Sequence, residues 1–311
     1  MKPPRILGHM GMNISEVTAG SIDMPREFVH LQEVGPRDGL QNEQIPLTPE
    51  IRASLVNRLV ACGISRIQIG SFVNPRRVPQ MLGTNLVWHL IKKTPSVRFS
   101  VLVLNEKGLE AALKERIPHI EVYVSASETH SIKNTGFTVD EALLKAVKII
   151  DTAIEAGLTV TAGVMCAFGC FYEGRVAHKA VIRLVNAFER YSPTEICLAD
   201  TTGMGEPQQL TELLKQVATN VGIQRIALHL HHTHGRGYDN LKAALAMGVR
   251  NFDTSLGGMG GCPFIPGAAG NIATERSVPI IESMGFYTGV RTNCLEVESR
   301  KLRHLLGKNV D

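Results

Sequence analysis

The chain has 311 residues, of which 44 % are hydrophobic and 20 % charged, with a formal net charge of +4. That length suits one large α/β barrel or two ordinary domains, and the small basic excess is too weak to argue for nucleic-acid binding. No apolar run approaches the about 18 residues of a membrane span, and the first residues lack the pattern of a signal peptide. We therefore expect a cytoplasmic protein with no membrane or nucleic-acid partner. Its six scattered cysteines, none in a CxxC pair, are expected to be reduced.

Taken in chain order, the sequence alternates short apolar runs with amphipathic stretches. Residues 1–27 show little periodicity and are interpreted as an N-terminal arm, and residues 28–311 as one barrel domain. The predicted strands cover residues 28–34, 64–70, 97–103, 119–125, 158–166, 195–200, 225–231 and 249–255.

Helix signals lie between these strands. Thr48 as N-cap and Pro49 in the first turn open one helix, which Gly63 ends. A capping box of Thr138 and Glu141 opens a long helix that ends at Gly157. Further helices are predicted over 175–190, from about 207, over 237–247 and from about 271.

Eight strand–helix units in about 255 residues match an α/β fold of the (β/α)8 TIM-barrel type in number and length. A doubly wound open sheet is the competing fold, but no GxGxxG follows the first strand. In a closed barrel the loops after the strands share one face, where such enzymes carry their active site.

The segment IALHLHHTHG, residues 226–235, holds four histidines at the end of a predicted buried strand. Because strand side chains alternate between faces, His229 and His231 should point the same way, which makes half of a metal site. The alternative is that these histidines are simply packed or solvated.

Closure of the barrel would place strand 8 between strands 7 and 1, and so bring distant residues together. Asp38 follows strand 1, and Asn271 follows the glycine-rich segment after strand 8. With His229 and His231 they form a candidate site for a divalent metal with open positions. We expect Mg²⁺ or Mn²⁺, with Zn²⁺ or Co²⁺ as alternatives. Taken alone, Asp38 also fits an ordinary turn and Asn271 a helix cap.

Three weaker candidates lie near this site in the predicted barrel. Arg37 either is a surface turn residue or stabilises a developing oxyanion beside the metal. Asp200 ends strand 6 and also fits an N-cap. Cys262 lies among glycines, so a mobile loop could carry its thiol over the site, or the cysteine could be incidental.

Several motifs now resemble one known family, that of 3-hydroxy-3-methylglutaryl-CoA lyase, within the DRE-TIM metallolyases. The likeness covers about residues 28 to 290, and the last motif is highly specific. The matching segments are EVGPRDGLQNE (33–43), GSFVNPRRVPQM (70–81), YVSASE (123–128), GCFYEG (169–174), LADTTGMG (198–205), HLH (229–231) and GGMGGCPFIPGAAGNIATE (257–275).

The resemblance implies roles for individual residues. Those at the family's metal positions are Asp38, His229, His231 and Asn271, and His229 is also implicated in proton transfer. Arg37 matches the arginine that steadies the enolate, and Cys262 matches the thiol of the catalytic loop. Asp200 and Glu275 match polar partners of the active site. Four residues are candidates for contacts to the substrate, or to the residues that bind it. They are Gln68, Ser71, His232 and Glu275.

The implied reaction is metal-dependent cleavage of 3-hydroxy-3-methylglutaryl-CoA, or a close analogue, to acetyl-CoA and acetoacetate or its analogue. The metal would bind the hydroxyl and carboxylate, Arg37 would neutralise the enolate, and Cys262 would protonate it. The expected partner is an acyl-CoA substrate, and we expect a homodimer or a higher homo-oligomer. Arg76, Arg77 or Lys133 either meets the CoA phosphates or is simply solvated.

Four positions depart from the family pattern. His232 stands where an aspartate is usual, His234 where a tyrosine is usual, and Gln68 where a glutamate pairs with the arginine. Gly163 occupies the place of an aromatic residue, which would open space above the metal. These changes suggest a larger or differently charged substrate, or lost activity.

Two other functions stay open. One is a condensing acyltransferase, although such enzymes usually carry further domains and only about 20 residues follow the last predicted helix. The other is a degenerate barrel that binds acyl-CoA or a partner without turnover.

Overall fold

The computed structural model describes residues 26–74, 76–261 and 270–308, and within them a closed barrel of eight parallel strands. Each strand pairs with the next, and β8 pairs with β1 over four residues, from His30 opposite Asn251 to Glu33 opposite Thr254. The predicted (β/α)8 TIM barrel is confirmed. The strands are β1 His30–Glu33, β2 Arg66–Ser71, β3 Arg98–Leu102, β4 His119–Ser125, β5 Thr159–Met165, β6 Glu195–Ala199, β7 Ile226–His229 and β8 Asn251–Thr254.

Helices follow the strands around the outside. They are α1 Pro49–Ala61, α2 Thr84–Leu90, α3 Glu106–Lys114, α4 Glu128–Thr135, α5 Val139–Glu155, α6 His178–Glu189, α7 Pro207–Val221, α8 Gly237–Ala246, α9 Thr274–Ser283 and α10 Thr292–Leu305. Thr48 caps α1, and both hydrogen bonds of the Thr138–Glu141 capping box are present at α5.

The sequence prediction missed α2, α3, α4 and the terminal α10. The expectation that some 20 residues follow the last helix was therefore wrong, because α10 occupies most of them. Its apolar signal is sparse, with Leu295 and Leu302 buried among many charged residues. Most of the predicted arm, residues 1–25, lies outside the described residues. At its end, the Glu27 carboxylate accepts a hydrogen bond of 2.8 Å from the Nε of Arg250.

The barrel interior is unusually polar. Along β4, Ile120, Val122 and Val124 belong to the apolar core, while the alternating positions His119 and Glu121 make polar contacts inside the barrel. Branched apolar residues usually fill the centre of such barrels. Here the apolar packing lies between strands and helices, which leaves the inner surface to polar side chains.

A disulfide between Cys62 and Cys294 joins the end of α1 to the first turn of α10, with Cα atoms 5.5 Å apart. The expectation of reduced thiols was wrong for this pair. The two cysteines are 232 residues apart and come together only because α10 packs beside α1 after the barrel closes. No helix in the described ranges combines the length and apolar character that a membrane crossing requires.

Candidate active site

Three side chains that could together hold a metal ion meet at the carboxyl end of the barrel: Asp38, His229 and His231. One ligand atom from each lies within 4.8 Å of the others, and all three residues are at most 8 % exposed. Asp38 sits in the turn Gly35–Gly39 directly after β1, and the histidines lie at the end of β7 and just beyond it. The Nε2 atoms of the two histidines are 3.0 Å apart, as expected for alternating positions on one face.

The charges in this triad depend on one another. Burial opposes the negative charge of Asp38, but Arg37 and the two histidines lower its pKa to about 2. Burial also opposes the protonation of His229, yet a hydrogen bond to Asp253 and the charge of Asp38 raise its pKa. Burial and the neighbouring His229 lower the pKa of His231 to about 3. Asp38 is therefore a carboxylate and His231 a neutral imidazole at neutral pH.

The donor set fits a divalent cation. A carboxylate and two imidazoles are suitable ligands, and adjacent ligands of an octahedral ion with bonds of about 2.1 Å stand about 3.0 Å apart. The separation of the two Nε2 atoms matches that spacing. The Nδ1 of His229 lies 3.1 Å from the Asp253 carboxylate, which favours a proton on Nδ1 and a free lone pair on Nε2.

Asn271 adjoins this triad. Its Nδ2 donates to the Oδ2 of Asp38 at 2.7 Å and to the carbonyl of Met259 at 2.8 Å. Its Oδ1 is buried with no hydrogen-bond partner in the described ranges. The residue is not the cap of α9, because that position belongs to Ala273. An unsatisfied buried carboxamide oxygen beside a carboxylate is a further donor suited to a cation.

Arg37 lies next to the triad and is 7 % exposed. Its Nη1 donates to Asp38 at 2.7 Å, and its Nε donates to the Oε1 of Gln68 in a short hydrogen bond. The amide nitrogen of Gln68 is buried and finds no acceptor among the residues described. The guanidinium is thus oriented by the Asp38 carboxylate and by two neutral acceptors, Gln68 and the Oε1 of Gln41 at 3.4 Å.

A cavity of about 360 Å³ opens above these residues. Arg37 and the triad line one side of it, and apolar side chains including Leu102 and Met165 line another. Lys133 also lines it, whereas Arg76 and Arg77 are exposed on the loop after β2. A concave site with a few convergent polar groups and an apolar wall is typical of small-molecule binding.

A family model described as HMGL-like matches residues 29–300. The chain belongs to this family. It is 39 % identical over 264 residues to hydroxymethylglutaryl-CoA lyase of Pseudomonas mevalonii, covering 85 % of this chain and 88 % of that protein. It is 35 % identical over 288 residues to the 3-hydroxy-3-isohexenylglutaryl-CoA/hydroxymethylglutaryl-CoA lyase of Pseudomonas aeruginosa, covering 93 % and 96 %.

A solved structure agrees with this assignment. An HMG-CoA lyase from Acinetobacter baumannii, in complex with coenzyme A and 3-methylmalate, superposes with a TM-score of 0.87 at 35 % identity, covering 91 % of this chain and 92 % of that one. The predicted family and the predicted lyase activity are confirmed.

Three other predicted site residues of this HMGL-like chain are Asp200, Ser71 and Cys262. Asp200 is buried at the end of β6, where its carboxylate accepts from the backbone of Gly205 and burial raises its pKa to about 7. Ser71 ends β2 and is buried. Cys262 lies outside the described residues.

His232 and Glu275 line a second cavity, of about 480 Å³, rather than the cavity of the triad. Glu275 accepts from the backbone of Gly257 at the start of the glycine-rich segment. His232 and His231 line different cavities, and the His232 ring packs on the ring of Tyr238, with centroids 4.5 Å apart. His232, which stands where the family usually has an aspartate, is therefore next to the triad in sequence but faces another cavity.

Two further residues of the site were not predicted from the sequence. Asp253 on β8 orients His229, and Tyr123 on β4 lines the triad's cavity. Strand alternation could have found both, because each is a polar residue at an inward position near the carboxyl end of its strand.

Proposed function

We propose that this chain is a divalent-metal-dependent carbon–carbon lyase that cleaves 3-hydroxy-3-methylglutaryl-CoA, or a close 3-hydroxyacyl-CoA analogue, to acetyl-CoA and acetoacetate or its analogue. The observation that carries the proposal is the cluster of Asp38, His229 and His231 beside Arg37 at the rim of one cavity. A tertiary alcohol, a carboxylate and a thioester are the groups that such a cluster could hold together.

We assign the metal to Asp38, His229 and His231, with Asn271 as the fourth ligand. When bound, the ion would supply Lewis acidity to the hydroxyl and carboxylate oxygens of the substrate. We expect Mg²⁺ or Mn²⁺, since nitrogen and oxygen donors with open positions suit them, and Zn²⁺ or Co²⁺ fits the same donors.

The remaining chemistry falls to the chain's own side chains. A base takes the proton from the hydroxyl oxygen, the bond between C2 and C3 breaks, and its electron pair passes to the thioester as an enolate. Arg37, a buried guanidinium, would neutralise the enolate oxygen. We assign protonation of the C2 carbon to Cys262, as the family resemblance implies.

His229 is expected both to bind the metal and to transfer a proton, and these two roles compete for the same nitrogen. Its Nδ1 faces Asp253 and its Nε2 faces the metal ligands. A nitrogen bound to a metal has no lone pair to accept a proton. Proton transfer by His229 therefore requires an Nε2 that is free of the metal.

The test is a cleavage assay with the purified chain, 3-hydroxy-3-methylglutaryl-CoA and a panel of 3-hydroxyacyl-CoA analogues. Elemental analysis should find about one divalent ion per chain. We expect acetyl-CoA release that a chelator abolishes and that Mg²⁺ or Mn²⁺ restores. Asp38→Asn should lower kcat/KM by at least about 100-fold, since it removes a charged ligand. Asp151→Asn, at an exposed site on α5, is the matched control.

Cleavage that survives complete metal removal would refute the metal-dependent mechanism. Metal binding without cleavage of any panel member would instead support a degenerate acyl-CoA-binding barrel. Formation of the thioester from acetyl-CoA and a ketoacid, with no cleavage, would support the condensing enzyme.

Location and assembly complete the proposal. We propose a cytoplasmic homodimer or higher homo-oligomer, to be measured by fractionation and light scattering.

A further inference from the structure

Tyr123 on β4 and Gly163 on β5 lie directly beside each other in the parallel ladder. A Cβ atom added to Gly163 would lie 2.1 Å from Cε1 and 2.2 Å from Cδ1 of the Tyr123 ring. Real Cβ atoms do not approach other atoms so closely. The tyrosine ring therefore occupies the space that a side chain at position 163 would need.

The ring is held in this place from its far end. Gly163 pairs in turn with Cys197 on β6, so the ring crosses β5 towards the thiol of Cys197, with which its hydroxyl interacts. The hydroxyl also donates to the Oε2 of Glu121 at 3.3 Å. Glu121 is itself fixed by a hydrogen bond of 2.6 Å from Ser100. The hydroxyl is thus bound within the barrel, and swinging the ring aside would break these contacts.

The half-buried ring lines the same cavity as the metal-ligating triad. The cavity's apolar lining also includes Leu102 and Ala199, on the neighbouring strands β3 and β6, and Met165 at the end of β5. The hydroxyl and carboxylate of a substrate belong with the charged triad. An apolar substituent on the reacting carbon then belongs against the tyrosine and these apolar neighbours.

We propose that the Tyr123 ring, laid across Gly163, forms the floor of the acyl compartment and limits the substituent at C3 of the substrate to about the size of a methyl group. This inference rests on the proposed function. It selects 3-hydroxy-3-methylglutaryl-CoA over thioesters with a long chain at C3, such as the isohexenyl compound in the name of the Pseudomonas aeruginosa relative.

The experiment measures kcat/KM for the methyl and isohexenyl substrates and compares their ratio between variants. Tyr123→Ala removes the floor and should raise the relative preference for the isohexenyl substrate by at least about 10-fold. Tyr123→Phe keeps the ring and loses only the hydroxyl, so it should keep the wild-type ratio within about 3-fold. An unchanged ratio in Tyr123→Ala would overturn the proposal.

Gly163→Ala gives a reciprocal test that does not depend on removing the ring. The added methyl must push Tyr123 up into the cavity, and kcat/KM for the methyl substrate should fall by at least about 10-fold. Combining it with Tyr123→Ala makes room for the methyl and should restore that activity. Wild-type activity in Gly163→Ala, or no recovery in a folded double variant, would contradict the geometry. If the wild type cleaves neither substrate, it is the proposed function that fails.

Discussion

Glu33, the last residue of β1, connects two of the chain segments that border the active site. It is completely buried. Its Oε1 accepts from the backbone of Gly35 and of Leu256, each at 2.8 Å, and its Oε2 accepts from the hydroxyl of Thr274 at 2.5 Å. Gly35 begins the turn that carries Arg37, and Leu256 precedes the glycine-rich segment. This one carboxyl group therefore fixes the turn after β1 and the segment after β8 relative to each other.

Burial raises the pKa of Glu33 from 4.5 to about 7, against the effect of its three hydrogen bonds. Below pH 4.5 the group is protonated in both the folded and the unfolded chain. As the pH rises from 4.5 towards 7, the unfolded chain loses this proton first, so the free energy of unfolding falls, and the loss is complete above about pH 7. At about 1.4 kcal/mol per tenfold change in proton affinity, the total is about 3 kcal/mol.

Glu33→Gln replaces the carboxyl group with a neutral group of the same shape and removes this pH dependence. Relative to the wild type, the variant should gain about 3 kcal/mol between pH 4.5 and pH 8.5. With a urea m-value of about 3 kcal/mol/M, the unfolding midpoint of the variant relative to wild type should shift by about 1 M. Glu110→Gln, at an exposed site on α3, controls for the loss of a carboxylate. A difference between wild type and Glu33→Gln that stays constant over this pH range would refute the reasoning.

Two further predictions concern the metal ligands and the disulfide. Asp253→Asn removes the carboxylate that orients His229, so Mn²⁺ affinity measured by calorimetry should fall by about 10- to 100-fold, and unchanged affinity would exclude the orienting role. Cys62→Ser opens a loop of 232 residues, and the oxidised protein should lose about 2–5 kcal/mol of unfolding free energy. Cys294→Ser should cause the same loss, and the double variant no more. With reductant present the wild type should match the variants, and a difference that persists would show a packing effect instead.

The fold could be predicted from the sequence because its signals are local. The strands carry apolar residues at alternate positions, as Ile120, Val122 and Val124 do along β4, and the caps at Thr48 and Thr138 are formed by neighbouring residues. The short helix α4 and the highly charged α10 were missed because their apolar faces are narrow and their stability comes from packing on the barrel.

The pairing of Asp38 with the two histidines was also predictable, since it follows from barrel closure and strand alternation. The hydrogen-bond or packing partner of each individual side chain could not be predicted from the sequence. That Asp253 meets His229, or that Tyr123 lies across Gly163, depends on the register between neighbouring strands. The expected opening at Gly163 was wrong for the same reason, because Tyr123 from the neighbouring strand β4 fills it.

Closure of β8 onto β1 has a consequence for biosynthesis. Asn271 and Asp38 are 233 positions apart, and they touch only in the finished cylinder. A nascent chain on the ribosome exposes Asp38 long before either imidazole has been translated. The proposed metal ligands therefore come together only when the barrel closes, and loading of the proposed ion, with Asn271 as a ligand, would require synthesis past the eighth strand.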